Sequence, residues 1–316
     1  MGEGQAESLS SDGAHSGGRW LVYLRLGRVS NLPTVWTNAM AGVVLAGGSP
    51  EPESLAWLAA ALSLFYIGGM FLNDAFDADF DRQFRPERPI PAGQISRRDV
   101  FLIGFALLAA GEVLLALPLL LADGPSLIGG NAPFIPVLMG GLALATTIVY
   151  YDFRHKNDPL SPFVMGLCRG WVYFISAATV ASPFSLPVVS GFAVLLCYMI
   201  GLTYAAKQEN LRQVRNLWPL LFLLAPFAYG APVLMRLAPE SGLFILLLGW
   251  VLYAVSFLVR KEGRNIGRAV VSLLAGICLL DALLVAGASD PTIFWLLPAL
   301  GAFALTLYLQ RFVPGT

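Results

Sequence analysis

The sequence predicts an all-α membrane protein, a helical bundle with nine or ten transmembrane helices. Of its 316 residues, 57% are hydrophobic and 13% are charged, whereas soluble domains carry about 25% charged residues. Apolar runs of about 20 residues, long enough to cross a bilayer as a helix, recur along the chain. These runs are continuous and do not alternate with polar residues, so they predict helices and not the strands of a barrel.

Ten apolar runs are candidate spans, or nine if one of them crosses only half of the membrane. They cover residues 29–47, 55–73, 99–122, 133–151, 161–181, 187–206, 217–237, 242–259, 266–287 and 292–311. The segment before them, residues 1–18, is polar and rich in glycine and serine, a composition typical of disorder. We therefore expect a disordered tail over 1–18 and a single transmembrane domain over 19–316.

The positive charges orient the predicted bundle. Of the 20 Lys and Arg residues, 18 fall in segments on one side, Arg236 alone falls on the other, and Arg169 lies within a span. Because positively charged loops stay in the cytoplasm, we expect the charged side to face the cytoplasm, with the chain in the inner membrane of a cell. The formal net charge is zero, which gives no indication of a nucleic-acid partner.

Charge is concentrated in one stretch, FLNDAFDADFDRQFRPERPIPAG at residues 71–93, which holds five carboxylates and three arginines. At 100° per residue, four of its oxygen-bearing side chains fall within an arc of about 100° on one helix face. They are Asn73, Asp74, Asp77 and Asp81. Asp79 points away from this face. The second span is therefore predicted to end in a face of stacked carboxylates.

Stacked carboxylates persist where a hard cation lies between them, and oxygen ligands suit Mg²⁺. We therefore predict that the four side chains of this face bind Mg²⁺. Arg85 and Arg88 follow in RPERPIPAG, and arginine binds phosphate through paired N–H groups. Mg²⁺ and arginine at a membrane surface indicate a diphosphate whose organic tail lies in lipid. The alternative, charges that only cap a helix and set the topology, explains the arginines but not three stacked aspartates.

The pattern N-D-x-x-D-x-x-x-D over residues 73–81, followed by RQFRPERPIPAG, resembles the first aspartate-rich motif of the UbiA superfamily of intramembrane prenyltransferases. The resemblance implies helices around a central cavity, with Mg²⁺ and a prenyl diphosphate at its cytoplasmic mouth. It also implies that Asp74, Asp77 and Asp81 are catalytic, because they would hold the metal against the diphosphate.

Two further segments carry this resemblance. In RVSNLPTVWTNAMAG, Asn31 resembles an asparagine that faces the cavity and contacts substrate. In YYDFRHKNDPLSP, the residues Tyr150, Tyr151, Asp152 and Lys156 resemble the tyrosine- and lysine-bearing loop after the fourth span, where the lysine would be catalytic by holding the diphosphate. Either tyrosine would also suit a membrane interface, and His155 would either transfer a proton or be an ordinary solvated residue.

One segment departs from the family pattern. Typical members carry a second aspartate-rich motif where this chain has GLTYAAKQENLRQVRN, in which only Glu209 is acidic. Lys207 would either contact the diphosphate directly or be one more topology charge. The departure leaves open a one-metal enzyme, a different phosphorylated donor or lost activity. Together with MGLCRG at 165–170, these segments resemble the EboC-like branch of the superfamily.

Three ionisable residues lie within predicted spans. Glu112, Arg169 and Asp281 are costly in lipid, and such groups usually face the interior of a bundle and find a partner there. We expect Arg169 to contact the diphosphate or to pair with one of the two acids. Cys168, Cys197 and Cys278 lie in apolar runs and are expected only to pack.

The predicted function is Mg²⁺-dependent transfer of a prenyl group from a prenyl diphosphate to a small aromatic, lipid or other acceptor within the membrane. Two other classes remain open, because a fold alone does not decide function. One is a transporter or flippase for a lipid-linked metabolite. The other is a non-catalytic membrane subunit that binds a lipid diphosphate. Neither the length of the donor nor the oligomeric state is indicated.

Overall fold

The computed structural model describes residues 11–49, 51–120, 134–156, 158–211, 218–235, 240–260, 265–288 and 293–315. These residues form α-helices and two 3-10 segments, and none of them forms a β-strand, which confirms the all-α class. The helices are α1 (Ser11–Leu26), α2 (Leu32–Leu45), α3 (Pro52–Phe84), α4 (Arg97–Leu120), α5 (Phe134–Arg154), α6 (Ser161–Ala178), α7 (Leu186–Leu211), α8 (Ala225–Met235), α9 (Ser241–Val259), α10 (Ile266–Ala288) and α11 (Ile293–Leu309). The 3-10 segments are Val29–Asn31 and Trp218–Leu224.

Seven segments of the described chain are long and apolar enough to cross a membrane, so this is a multi-pass membrane protein. They are α3, α4, α5, α7, α9, α10 and the segment Trp218–Met235 that includes α8. Each of the ten predicted spans contains a helix. However, α2, α6 and α11 have 14, 18 and 17 residues and fall outside the seven. The count of nine or ten spans stays a prediction.

The aspartate-rich stretch lies inside a helix. Helix α3 has 33 residues and continues past the predicted end of its span at residue 73 to Phe84. It ends there because proline at position 86 disfavours helical backbone in the residue before it. The chain then turns at Gly93, whose φ of 72° glycine adopts without strain, and α4 begins at Arg97.

The helices pack in two large apolar clusters that share α2 and α6, and a smaller third cluster joins α1, α3 and α4. One large cluster joins α2 and α6 to α3, α4 and α5, and the other large cluster joins them to α7, α8, α9, α10 and α11. Helix α10 is the most deeply buried of the seven candidate spans. Helices α2 and α6 approach closely, since a Cβ atom on Gly42 would lie 2.7 Å from the backbone oxygen of Tyr173.

Helix α1 begins at Ser11, inside the segment predicted to be a disordered tail. Residues 1–10 of that segment lie outside the described residues. The division into a tail over 1–18 and one transmembrane domain over 19–316 stays a prediction.

Candidate active site

A cavity of about 500 Å³ lies among α2, α3, α5, α6, α7 and α10, and both large apolar clusters contribute to its walls. Much of its polar lining falls into two groups. We call the first group the mouth, because it comes from the C-terminal parts of α3, α5 and α7 and from loops: Arg28, Asn73, Asp77, Arg85, Glu87, Arg88, Asp152, His155 and Lys207. We call the second group the inner end: Tyr66 and Arg169, which lie within α3 and α6.

The predicted metal-binding face of α3 is buried, but the structure divides it. Asp77 lines the cavity, whereas Asp74 and Asp81 lie behind the lining and bind arginine. Nη1 of Arg88 lies 3.1 Å from a carboxylate oxygen of each of these two aspartates. Asp79 points away as predicted, and it pairs with arginines at the surface.

Arg28 is a site residue that the sequence analysis treated only as a topology charge. Its guanidinium donates to Asp74 at 3.1 Å and to Asn73 at 3.4 Å. Burial opposes its charge, but the neighbouring Asp74 carboxylate holds the pKa of Arg28 above its usual value. Its φ is 41°, and it is the only non-glycine residue of the described chain with positive φ. Strained backbone of this kind is concentrated at functional sites.

Asp77 meets two side chains that directly follow α5, the Lys156 ammonium and the His155 ring. Nζ of Lys156 lies 2.8 Å from Asp77 Oδ1, and Nε2 of His155 lies 3.5 Å from the same oxygen. The Lys156 ammonium also lies 4.0 Å from the centre of the Phe80 ring. Two of the three segments that carried the family resemblance therefore meet at the mouth.

Asp152 is a second site residue to which the sequence analysis gave no function. It lines the cavity and accepts a hydrogen bond from Asn73 at 3.0 Å, while its Oδ2 atom is buried without a hydrogen-bond partner. Asp152, His155 and Lys156 are spaced i, i+3 and i+4, so a search for helix-face neighbours would have grouped them.

The mouth offers an incomplete set of metal ligands. Within the described residues, no three His, Cys, Asp or Glu side chains converge as a metal-binding group. Asp77 and Asn73 nevertheless line the cavity beside Asp152, whose Oδ2 is available. Such a set fits Mg²⁺, because this ion keeps several water ligands and takes others from substrate phosphates.

The remaining cations of the mouth come from the loop after α3 and from α7. Arg85 and Arg88 line the cavity as predicted, and Arg85 also lies 3.9 Å from Asp81. Lys207 lines it as well and donates to the backbone oxygen of Asp158 at 2.9 Å. The side chain of Glu209 lies outside the described residues.

The structure places the two predicted tyrosines in different surroundings. Tyr151 lines the cavity and stacks on His155, with ring centres 5.0 Å apart. Tyr150 is 46% exposed, does not line the cavity and donates to Asp158 at 3.2 Å. Its position agrees with the alternative of an interfacial tyrosine.

Asn31 lines the cavity as predicted, but its amide is held by the segment after α11. Its Nδ2 donates to the backbone oxygen of Gly315 at 2.9 Å, and Gln310 donates to its Oδ1 at 3.2 Å. Nδ2 also lies 3.3 Å from the Tyr66 hydroxyl. The sequence analysis did not predict that the segment Gln310–Gly315 covers this residue.

Arg169 lines the cavity and reaches an acid, Asp281, only through Asn38, so the predicted direct pair with an acid is not formed in the described chain. It donates from Nη1 to Asn38 Oδ1 at 3.0 Å, and Asn38 Nδ2 donates to both oxygens of Asp281 at 2.9 and 2.8 Å. The Tyr173 hydroxyl also donates to Asp281. Glu112 takes no part, since its Oε2 is buried without a partner beside Gly141.

Comparisons with known proteins agree with this architecture. Residues 34–269 match the UbiA prenyltransferase family. A curated relative, 4-hydroxybenzoate octaprenyltransferase of Pectobacterium carotovorum, is 31% identical over 199 residues, 59% of this chain and 59% of that protein. Digeranylgeranylglyceryl phosphate synthase of Natronomonas pharaonis is 25% identical over 284 residues, 85% of this chain and 89% of that protein. The chain thus spans about three fifths of the Pectobacterium relative.

A solved structure also resembles this chain. It comes from a study of structural and mechanistic insights into the biosynthesis of digeranylgeranylglyceryl phosphate synthase in membranes. The TM-score is 0.56 at 18% identity, with 86% of this chain and 99% of that chain covered, so the likeness concerns the fold. Because the family match extends over most of its length, the chain belongs to the UbiA prenyltransferase family.

Proposed function

We propose that this protein transfers a prenyl group from a prenyl diphosphate to a small acceptor within the membrane, with Mg²⁺ at the mouth of the cavity. The observation that carries the proposal is the lining of the cavity, which combines a mouth of cations and carboxylates with apolar walls. A prenyl diphosphate has the same division, an anionic head on a hydrocarbon tail. Family membership supports the same chemistry.

The diphosphate would be bound by the cations of the mouth. The guanidinium groups of Arg85 and Arg88 both line it, and their planar sets of N–H donors match phosphate oxygens. Lys207 adds a positive charge from α7, in the stretch that stands where typical members carry the second aspartate motif. Lys156 is on a flexible stem beside Asp77, so it can turn from that carboxylate to a phosphate.

The metal would be held by Asp77, Asn73 and Asp152, because these three side chains line the cavity. Bound Mg²⁺ would neutralise charge on the diphosphate and make it a better leaving group. Asp74 and Asp81 would act from behind the cavity lining. Their hydrogen bonds to Arg88 fix the position of that guanidinium at the mouth.

The reaction would begin when the bond between the prenyl carbon and the diphosphate oxygen breaks, with both electrons leaving on the diphosphate. The mouth cations stabilise that charge. The ring of Tyr151, which stacks on His155, lines the cavity and offers an aromatic face to the allylic cation. The apolar walls exclude water. The acceptor then forms a bond to the allylic carbon and gives its proton to the departed diphosphate.

A small aromatic acceptor suits this cavity best. One relative is named for transfer to 4-hydroxybenzoate and another for synthesis of a glyceryl phosphate lipid. Phe65 and Tyr66 line the cavity, and aromatic side chains bind rings through stacked or edge contacts. Since positively charged segments stay inside, the mouth would face the cytoplasm from the inner membrane.

The test is a transfer assay on the purified chain in detergent. Prenyl diphosphates of increasing chain length would be supplied with a set of aromatic acceptors, with and without Mg²⁺. We expect release of diphosphate and a prenylated product that both require Mg²⁺. Tight binding of prenyl diphosphate without turnover for any acceptor would contradict the proposal and favour a non-catalytic binding protein.

A further inference from the structure

We propose that the inner end of the cavity selects an uncharged acceptor, one that presents a hydrogen-bond-accepting oxygen to Arg169. The inference deepens the proposed function, because it names the class of acceptor for the same cavity. It rests on that function only for the statement that the bound molecule is the prenyl acceptor. The contacts that carry it are those of Arg169, Asn38 and Asp281.

Arg169 is a buried guanidinium that faces a cavity with most of its donors unused. Its exposure is 7%, and it lines the cavity about 12 Å along α6 from the first residue of that helix. A guanidinium has five N–H donors, and among the described residues Asn38 is its only hydrogen-bond partner. Unpaired buried donors are costly, so a ligand with an oxygen at this position would gain hydrogen bonds.

The charge of Arg169 is already balanced. Both oxygens of Asp281 accept hydrogen bonds from Asn38, and one of them also accepts from Tyr173. Hydrogen bonds donated to a carboxyl group stabilise its ionised form, so the three bonds to Asp281 favour the carboxylate that balances Arg169. Asn38 therefore links the guanidinium to this carboxyl group, and the two groups together carry no net charge when Asp281 is ionised.

This balance decides which ligand fits. A carboxylate on Arg169 would add a second negative charge to a buried group that already contains Asp281, and an uncompensated buried charge is strongly unfavourable. The other neighbour of the guanidinium is the Tyr66 ring, whose centre lies 5.5 Å away and which is neutral. A carbonyl or amide oxygen would accept from the free N–H groups and leave the balance unchanged.

The length of the cavity supports an acceptor that reacts at one end, near the mouth, and binds Arg169 with a substituent at its other end. Tyr66 and Asn73 are seven residues apart on α3, which separates the inner end from the mouth by about 10 Å. A ring that is attacked by the allylic carbon near the mouth would present its opposite substituent to Arg169. Para-substituted phenols are therefore suitable probes.

The experiment compares 4-hydroxybenzamide, 4-hydroxybenzoate and phenol, whose dissociation constants would be measured at pH 7 on the full chain in detergent without donor. The amide and the carboxylate have nearly the same shape and differ in charge. We expect the amide to bind about tenfold more tightly than either of the others, since one hydrogen bond to a charged group contributes about that much. Equal or tighter binding of the carboxylate overturns the charge argument, and failure of the amide to bind overturns the site.

Two variants and one control link the preference to Arg169. Arg169→Met removes the donors and should reduce the preference for the amide over phenol to about onefold. Arg169→Lys keeps a charge beside Asp281 and should retain only part of the preference, so it serves if the Met variant does not fold. Arg268→Met changes an exposed arginine outside the cavity and should change nothing. An unchanged preference in both Arg169 variants overturns the proposal.

These binding measurements separate the inference from the proposed function. Transfer is measured by release of diphosphate from a prenyl donor, whereas the selection is measured without donor. A protein that releases diphosphate but prefers the carboxylate would contradict only the selection. A protein that prefers the amide through Arg169 and never releases diphosphate would contradict only the transfer.

Discussion

At the mouth of the cavity, the carboxylates of α3 meet cations that belong to loops and helix ends. Behind the inner end, Asp281 meets Asn38 and Tyr173, and all three residues lie within helices. Both regions hold buried charge. In the first region many partners come from segments between helices, and in the second they come from α2, α6 and α10, which belong to the large apolar clusters.

This difference indicates that the mouth and the inner end have different functions. Lys156 contacts Asp77 but is partly exposed and flexible, so it can exchange this partner for a substrate phosphate. Asn38 and Asp281 are fully buried and cannot change partners without disturbing α2 and α10. The mouth therefore suits chemistry that moves charge, and the inner end suits a fixed contact that selects a ligand. The following predictions test this division, from the largest expected effect to the smallest.

Asp77→Ala should lower turnover by at least about 100-fold, since it removes the α3 carboxylate that faces the cavity and its contact with Lys156. The measurement is the rate of diphosphate release from a prenyl diphosphate by purified protein. Asp74→Ala should also abolish turnover, because Arg28 and Arg88 both lose a carboxylate partner.

Asp79→Ala is the matched control for Asp77→Ala. Asp79 lies on the same helix but at the surface, where it pairs with Arg82 and Arg97. Its loss should leave turnover unchanged, and gel filtration would show that all variants remain folded. Full activity of both Asp77→Ala and Asp74→Ala would refute the placement of the metal and the diphosphate at the mouth.

Asp281→Asn should destabilise the protein by about 3 kcal/mol, because it leaves the Arg169 charge buried without a negative partner. The change would be measured as a lower midpoint of thermal unfolding in detergent. Asp79→Asn is the control with the same chemical change at an exposed position, and it should not shift the midpoint. Equal midpoints for the two variants would show that the inner network contributes nothing to the fold.

Sequence periodicity predicted the parts of the site that depend on one helix. The shared face of α3 and the outward direction of Asp79 follow from 3.6 residues per turn, and the structure has Asp79 at the surface and all four members of the face buried: Asn73, Asp74, Asp77 and Asp81. The motif around these residues also indicated the family correctly. Local spacing was sufficient here because every member of the pattern lies within one segment of α3.

Contacts between distant segments could not be predicted in this way. Asn38 and Asp281 are 243 residues apart, and Asn31 lies 284 residues from Gly315. Nothing in the periodicity of α2 identifies partners on α10 or after α11. The left-handed backbone of Arg28 was equally hidden, because non-glycine residues seldom adopt it and the sequence around Arg28 does not mark it.

Lys207→Ala should weaken binding of prenyl diphosphate about tenfold, because the side chain lines the mouth and loses a charge-assisted contact. Arg268→Ala removes a positive charge from α10 outside the cavity and should leave the affinity unchanged. Both would be measured as dissociation constants for a non-hydrolysable diphosphate analogue. If the two variants lost affinity equally, Lys207 would be no more than a topology charge.

The smallest effect is expected where the segment after α11 meets Asn31. Gln310→Ala removes donors to Asn31 Oδ1 at 3.2 Å and to the backbone oxygen of Val271 at 3.3 Å. Neutral hydrogen bonds contribute about 1 kcal/mol each at most in such positions, so the unfolding midpoint should fall slightly. Gln94→Ala, at an exposed loop position, is the control and should not shift it.

Gln310→Ala should also leave the affinity for prenyl diphosphate unchanged, because no cation of the mouth hydrogen-bonds to Gln310 in the described chain. The same dissociation constant as for Lys207→Ala would be measured. A loss of diphosphate affinity in Gln310→Ala as large as that in Lys207→Ala would mean that the segment organises the mouth. The segment after α11 would then belong to the mouth and not to the fixed interior.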